Sequence, residues 1–502
     1  MGELLKNQVY DGFLGVNLRD APTGLESGDL LQAENVYPVA DGKLVGRGGQ
    51  VPYNAVQYSA ERIRSLYRFY RQDGTRITLV TWGTGIYRGN DTTGALTLLE
   101  DLYLADQKFS FVTWSTKDKV YWINGERALR SYDATTVATV GGSPPIGSMV
   151  EYHENRLWIL QNNAVVFSDL NVDNVWPGAN ALNISDTRGG KGKFLKSFGR
   201  GLLIVGKDTG LYRFEGSPIL GGQLTRFSDI GCVAAWSADV TPFGIPFLSH
   251  DGIYITDGFQ VTPLSGKIDP LFSGTGRFAD AVGKYYKRRR QYFFSFNTSL
   301  SVNDQLWVAT ALETANGQKI GWTKYTGFKA ECFMEWDGAG DVGQLYYGRA
   351  DTGLIRWIDV GSVDIDQAYT CKIQLLNDDY GDDTRMKQAR FIFPLWEGVR
   401  ACQYAISYNF GSPIVSGTLA RNPQDLPEWG EGDVVWGVGD VVWLAGGPMN
   451  TVVTSCLNFK WGAHISFTFE DTGDGELFKF HECTIKAKVK EATHRTLFAI
   501  ES

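Results

Sequence analysis

The chain has 502 residues, 43% of them hydrophobic and 21% charged, an ordinary globular balance that excludes general disorder. Its 48 basic and 56 acidic residues leave a formal charge of −8, which argues against a general binder of the phosphate backbone, a class that is normally basic. Glycine reaches 59 residues and aromatics 13%, a combination that suits short strands joined by tight turns.

The opening MGELLKNQVYDGFLGVNLRD has an acidic residue at position 3 and no apolar core, so no signal peptide is expected. No run of 18 apolar residues occurs, so no membrane insertion of this chain is expected. Residues 23–36, TGLESGDLLQAENV, have room for one or two helical turns. Beyond them the chain alternates in short bursts bounded by Gly, Asp, Asn and Pro, which predicts an all-β protein.

The bursts share one plan: an apolar strand, a polar or glycine turn, then a second strand carrying an aromatic. ITLVTWGTGIYRG (77–89), VYWINGERALRSYD (120–133), RLWILQNNAVVFSD (156–169), LLIVGKDTGLYRFEG (202–216) and PFLSHDGIYITDG (246–258) all follow it. So do QLWVATALETANGQKIGWTKY (305–325) and QLYYGRADTGLIRWID (344–359), with a more divergent hairpin expected at 275–300. The post-turn residues Ile86, Leu129, Val165, Leu211 and Ile253 recur at intervals of about 36–46 residues, near one four-stranded propeller blade per repeat. The count predicts a β-propeller of six to eight blades over 50–370; unrelated hairpins in β-sandwiches are the competing reading. After 370, ARFIFPLWEG, CQYAISYNF, HISFTFEDTGDG and HECTIKAKVK read as longer alternating strands, so 371–502 is expected to be a β-sandwich-like assembly domain. Residues 1–49 are left as an N-terminal arm, packing on the propeller or on a neighbouring subunit.

No local setting for catalysis stands out, and no enzyme is expected. The five histidines complete no H-E-x-x-H, and no G-x-S-x-G occurs. TRGGKGKF (187–194) has Thr187 and Phe194 where a phosphate-binding loop needs Gly and Ser or Thr. WGTGIYRG (82–89) has Arg88 in place of the third glycine of a dinucleotide loop. The cysteines Cys232, Cys332, Cys371, Cys402, Cys456 and Cys483 form no C-x-x-C pair and read as reduced core residues. No metal or cofactor is expected. Two acidic stretches, with Asp378, Asp379, Asp382 and Asp383 in one and Glu470, Asp471, Asp474 and Glu476 in the other, offer oxygen donors for calcium. Neither has the spacing of a calcium loop, and solvated hairpin turns are the better reading.

Two basic groups stand out in this acidic chain. Arg188, Lys191, Lys193 and Lys196, spaced by glycines, read as an exposed flexible loop able to reach into a channel. Lys284, Lys287, Arg288, Arg289 and Arg290 read as part of a strand, with Arg288 and Arg290 on one face and Arg289 on the other. The roles open to this run are contact with DNA phosphates, contact with carboxylates of a partner subunit, or a charged edge that blocks unwanted pairing. In WGEGDVVWGVGDVVW, Trp429, Trp436 and Trp443 recur every seven residues among glycines and paired valines, which argues for tiny strands over a helix. They are candidate inter-subunit aromatics or, alternatively, a sugar-stacking platform.

Gly15, Asn17, Arg19 and Asp20, then Ala33, Asn35 and Val36, then Asp41, Gly42, Leu44, Arg47 and Gly49 make up a patterned opening segment. Asn155, Arg156, Leu157, Trp158, Ser168, Asp169 and Trp176 form a second pattern, and 199–212 a third. Together these resemble virion proteins of the tail nozzle and packaged-DNA stabilisation type of short-tailed bacteriophages, over most of 10–360. The resemblance implies a propeller-bearing subunit forming a homo-oligomeric ring, six-fold in that family, below the portal and adaptor. It implies portal, adaptor and tail fibre or spike proteins as partners, sequence-independent double-stranded DNA in the lumen, and location in the virion tail after assembly in the host cytoplasm. An acidic lumen would repel the phosphates of the exiting duplex. The alternative function is a carbohydrate-binding protein at a tail tip that recognises host glycans.

Overall fold

A computed structural model describes residues 4–54, 61–184, 189–199, 201–216, 218, 221–273, 278–298, 302–314, 317–337, 343–365, 367–381, 384–397, 402–419, 449–451, 454–455, 461–473 and 478–490. Among them strands dominate, and the helices are short 3-10 turns. No described helix is long and apolar enough to cross a membrane. The chain divides into two compact units, Gly49–Ala311 with Lys324–Val360, and Met1–Gly48 with Leu312–Thr323 and Gly361–Ser502.

The first unit is a β-propeller of seven blades: six are small antiparallel sheets of three or four strands, and the remaining one is an end of a ten-stranded sheet. Blade 1 holds Ile63–Tyr70, Arg76–Trp82, Gly85–Gly89 and Leu96–Asp101, from the inner strand outwards. Blades 2, 3 and 4 repeat this order from Ser110–Trp114, Met149–His153 and Gly192–Phe198. Blade 5 has three strands, starting at Ile245–Leu248. Its inner place is taken by 233–238, where the Val233 N–H donates to the Leu248 carbonyl (2.9 Å) and the Leu248 N–H to the Ser237 hydroxyl (2.9 Å). Blade 6 begins with the hairpin of Val282–Tyr286 and Gln291–Phe296, where the divergent repeat was expected. Blade 7 has Ala330–Trp336, Gln344–Arg349 and Ile355–Ile358, and its fourth strand is Gln50–Pro52, from before blade 1.

Stacking of sheets around the ring explains why the second strands read as unbroken apolar runs. A strand turns alternate residues to opposite faces, and here each face meets a neighbouring blade. In Lys119–Ile123, Trp122 enters the core shared with blade 1, with Phe69 and Leu79, while Tyr121 and Ile123 enter the one shared with blade 3. In Arg156–Leu160, Leu157 and Ile159 face blade 2 while Trp158 packs on Leu203 and Phe214 of blade 4. The ring closes through Ile63, Leu66 and Val80 of blade 1 against Cys332, Met334 and Tyr346 of blade 7.

The second unit is built from two antiparallel arrays. One places Leu4–Tyr10 and Lys387–Glu397 on either side of Lys479–Val489. The other runs Asp29–Glu34, Tyr369–Leu375, Ile465–Gly473, Cys402–Tyr408 and Pro413–Leu419. Phe469 of one meets Phe480 of the other at 5.0 Å between ring centroids. The opening segment is therefore part of this unit; the sequence reading had set it on the propeller or on a neighbouring subunit. The expected helical turns at 23–36 are replaced by the strand Asp29–Glu34, because Leu30 and Ala33 are buried in pairing with Leu375 and Ile373. Cys232, Cys332, Cys371, Cys402 and Cys483 are free and buried; Cys456 lies outside the described residues.

Candidate functional site: a charged channel through the propeller

The inner segments of all seven blades surround a central cavity of about 200 Å³. Each blade contributes one charged residue to its lining: Arg64, Lys108, Glu151, Lys196, Asp239, Lys284 and Glu331. Successive members are about 43–47 residues apart, which is one blade per step. From Lys108 round to Arg64 the signs alternate. Seven is odd, so alternation fails once, at the adjacent cations Arg64 and Lys108.

Glu331 answers that failure. It is 1% exposed and pairs with both cations, with Lys108 Nζ 3.0 Å from its Oε1 and the Arg64 guanidinium on the same oxygen. Lys108 also donates to the Glu331 carbonyl (3.1 Å), and Arg64 Nε to the Asp106 carbonyl (3.0 Å). A buried charge shared in this way avoids the cost of standing unpaired. Across the cavity, Asp239 accepts from the Tyr285 N–H (2.9 Å) and pairs with Lys284 at 3.1 Å.

Glu151 and Lys196 remain. Both are half-buried and face the cavity, and among the described residues neither is in an ion pair. Desolvation pushes the Glu151 carboxyl from 4.5 up to about 7; Lys196 pulls it down in part, and Asp239 raises it. Two residues on, His153 is buried, with Nδ1 2.9 Å from the Ser197 hydroxyl and Nε2 without a hydrogen-bond partner. Burial lowers its pKa to about 4, so it is neutral at pH 7. At the end where the inner strands begin, a second cavity of about 270 Å³ is lined by Asp106, Lys108, Asn124, Lys193 and Asp280, among others.

The glycine-spaced basic segment thus supplies part of this site. Its residues from Gly192 on are the inner strand of blade 4, where an exposed loop was expected, because Phe194 and Leu195 are buried against the flanking blades. Lys196 lines the channel, Lys193 lines the mouth, and Lys191 is exposed. Arg188 lies outside the described residues. The second basic run is also corrected. Lys287–Arg289 is a 3-10 turn closed by Arg290 in the left-handed region (φ 56°), so the three arginines do not alternate on a strand. Lys287 pairs with Glu335 at 2.8 Å, Arg289 pairs with Asp359, Arg290 lies over the Phe243 ring, and Arg288 is exposed. Of that run only Lys284 reaches the channel.

Trp429, Trp436 and Trp443 lie outside the described residues, as do Asp382, Asp383, Asp474 and Glu476. Among the described carboxylates of those stretches, Asp378 accepts from the Tyr10 hydroxyl (2.7 Å), Asp379 from the Gly381 N–H (2.7 Å), and Glu470 pairs with Lys372 (2.6 Å). No described group of three His, Cys, Asp or Glu side chains is placed to hold a metal ion.

The patterned residues of the opening segment turn out to be internal braces. Asn17 donates to Asp20 (2.8 Å) and Asp29 (2.7 Å). Asn35, left-handed at φ 57°, donates to the Thr370 carbonyl (2.7 Å) and accepts from Arg47 Nε (2.8 Å). Gly42 lies so close to Gly12 that an added Cβ would sit 2.8 Å from its Cα.

No family model matches the chain, and no curated protein matches it. Among solved structures it is similar to YCF48 bound to D1 peptide, at 12% identity and a TM-score of 0.41, over 61% of this chain and 95% of that one. YCF48 from Cyanidioschyzon merolae is 11% identical, with a TM-score of 0.41, over 62% and 98% of the two chains. The WD40 β-propeller domain of Doa1 is 10% identical, with a TM-score of 0.39, over 62% and 97%.

Proposed function

We propose that this chain is a structural subunit of a bacteriophage tail, forming a ring or tube below the portal and adaptor that retains the packaged genome and conducts it during ejection. What carries the reading is the use made of the opening segment on which the family resemblance rests. Asn17, Asn35, Gly42 and Arg47 brace one compact unit internally, as motifs of a structural family do.

The reading places DNA outside the propeller channel. A cavity of about 200 Å³, crossed by the Arg64–Glu331–Lys108 pairs, cannot admit a duplex whose major groove alone is ~12 Å wide. The conduit is then the lumen between copies of the chain, and closure by rotation needs a heterologous interface repeated round the ring. Quantitative mass spectrometry of purified virions, with cryo-electron microscopy of their tails, tests this. The expected result is several copies per particle on the tail axis, and particles lacking the chain that package DNA but leak it. A single copy per virion, absence from virions, or saturable binding on a glycan array with no place on the DNA path would overturn it.

A further inference from the structure

We propose that the propeller channel is a binding site for one small oxyanion, a phosphate or free carboxylate, held by Lys196. The argument starts from the odd number of blades. Seven lining charges give four cations and three carboxylates, and the odd cation, Arg64, is met from the mouth by the Asp106 carboxylate at 3.4 Å. Glu331 is shared by Arg64 and Lys108, and Asp239 is occupied by Lys284. Lys196 is left without an ion pair among the described residues, beside open space. The members fixed by Glu331 are deeply buried, whereas Glu151, Lys196, Asp239 and Lys284 are half-buried. The more exposed members of the ring are therefore on the Lys196 side. An anion there meets an ammonium whose neighbouring carboxylate is Glu151, with which it forms no direct ion pair, at a half-buried place where a charge interaction is worth more than in water.

Size and access narrow the ligand. A cavity of about 200 Å³ is below the ~300–1,000 Å³ of sites for drug-sized molecules, so it suits a ligand of a few heavy atoms. Lys193, three residues before Lys196, stands at the mouth together with the carboxylates of Asp106 and Asp280.

Glu151 sets the pH response. The charged groups facing it across the channel are Lys196, Asp239, Lys284, Arg64, Lys108 and Glu331, and His153 on its own strand is neutral at pH 7. Once Glu151 is protonated, the ring gains in positive charge and the carboxyl can donate to an oxyanion. Anion binding therefore tightens as pH falls through the titration of Glu151.

The test is isothermal titration calorimetry of the full chain with inorganic phosphate at fixed ionic strength, with acetate as a second probe and competitor. One saturable site is expected, and acetate, whose charge does not change over this range, should bind tighter at about pH 6 than at about pH 8. Lys196→Met should weaken it by about tenfold or more, while Lys191→Met, on an exposed neighbour, leaves it unchanged. Glu151→Gln should bring the acetate affinity at the higher pH to the level seen at the lower. Acetate binding that phosphate does not displace assigns the pocket to carboxylates; displacement shows a shared oxyanion site. No saturable heat with either probe, or equal affinity in wild type and Lys196→Met, would overturn the proposal. If Lys196→Met fails to fold, Glu151→Gln decides alone: an unchanged affinity at the higher pH refutes it.

Discussion

Replacing Arg47 with Met is the sharpest test of how the second unit is held together. Arg47 is 1% exposed, and its guanidinium joins parts of the chain more than 300 residues apart. Nε donates to Asn35 (2.8 Å), Nη1 to the Gly48 carbonyl (2.9 Å) and to Asp364 (2.8 Å), and the group lies 3.8 Å from the centre of the Tyr369 ring. Methionine fills the stem's volume but leaves Asp364 and Asn35 without their donor. Removing one partner of a buried ion pair costs ~3–5 kcal/mol. The Asp364 side chain is 16% exposed and can rehydrate in part, which puts the loss near the lower end, at ~3 kcal/mol, with up to ~1 kcal/mol more from the lost cation–ring contact. For a unit of about 200 residues, at roughly 2–4 °C per kcal/mol, ~3 kcal/mol lowers the transition by ~6–12 °C. Arg47→Lys should recover only part of this, because an ammonium cannot reproduce the planar fork or the stacking. Scanning calorimetry of Arg47→Met, Asp364→Asn and the double variant measures the coupling. A shift under ~3 °C, or single effects that add within ~0.5 kcal/mol, would refute the reasoning.

In the propeller, Glu151→Gln should stabilise the fold in a pH-dependent way. The folded pKa of Glu151 is raised from 4.5 to about 7, so the native state holds more protons in that window and stability falls as pH rises through it. The advantage of Gln should thus be absent below about pH 4.5 and grow to at most ~3 kcal/mol by about pH 7; an advantage independent of pH in denaturant titrations counts against this. Gly283→Ala should destabilise, because the new methyl would lie 2.1 Å from the Tyr292 hydroxyl, which donates to the Ser237 carbonyl between blades 6 and 5 (2.6 Å). The methyl would also lie 2.4 Å from the Ser237 carbonyl and 2.6 Å from Tyr292 Cζ, so Tyr292→Phe should not rescue it; overpacking costs ~1–3 kcal/mol, and a neutral Gly283→Ala in the same titrations removes the argument.

The propeller was legible because its hairpins repeat a local pattern. Ile86, Leu129, Val165, Leu211 and Ile253 are fully buried and lie at or beside the third position of successive blades. The channel was harder to read, though its signal is the more regular of the two. Arg64, Lys108, Glu151, Lys196, Asp239, Lys284 and Glu331 each lie in or beside an inner strand, several with a second charge on the same strand, as Arg68, Lys193 and Glu335 are. Only comparison across blades separates such a charge from an exposed one. Lys287–Arg290 was misread because a basic run next to aromatics satisfies the rules for a strand edge. The 3-10 turn with a left-handed last residue that forms there also forms at Ser115–Asp118, with different side chains. That turn is set by the geometry of the inner hairpin, which short-range composition does not encode.

The least legible feature was the one that decides the domain layout. Gln50–Pro52 has no strand pattern of its own, yet it completes blade 7 by pairing Val51 with Trp357 and Gln50 with Ile358. Its side chains carry the closure further. Gln50 Oε1 accepts from the Tyr347 hydroxyl, and Asn54 both donates to the Gly353 carbonyl (3.0 Å) and accepts from the Ile355 N–H (2.8 Å). A ring closed in this way has its first and last strands side by side. Residue 48 precedes one of these paired strands and residue 361 follows the other, and the chain also leaves and re-enters the propeller unit once in between, at Leu312–Thr323. Segments that are distant in sequence then start from one place, so their pairing in one unit carries little of the loop-closure cost that their separation suggests. Linear reading divides the chain into arm, propeller and sandwich because it cannot see that closure. With Trp357 and Val51 paired, the arm and the C-terminal strands form a single folding problem, and Arg47 with Asp364 is where they meet.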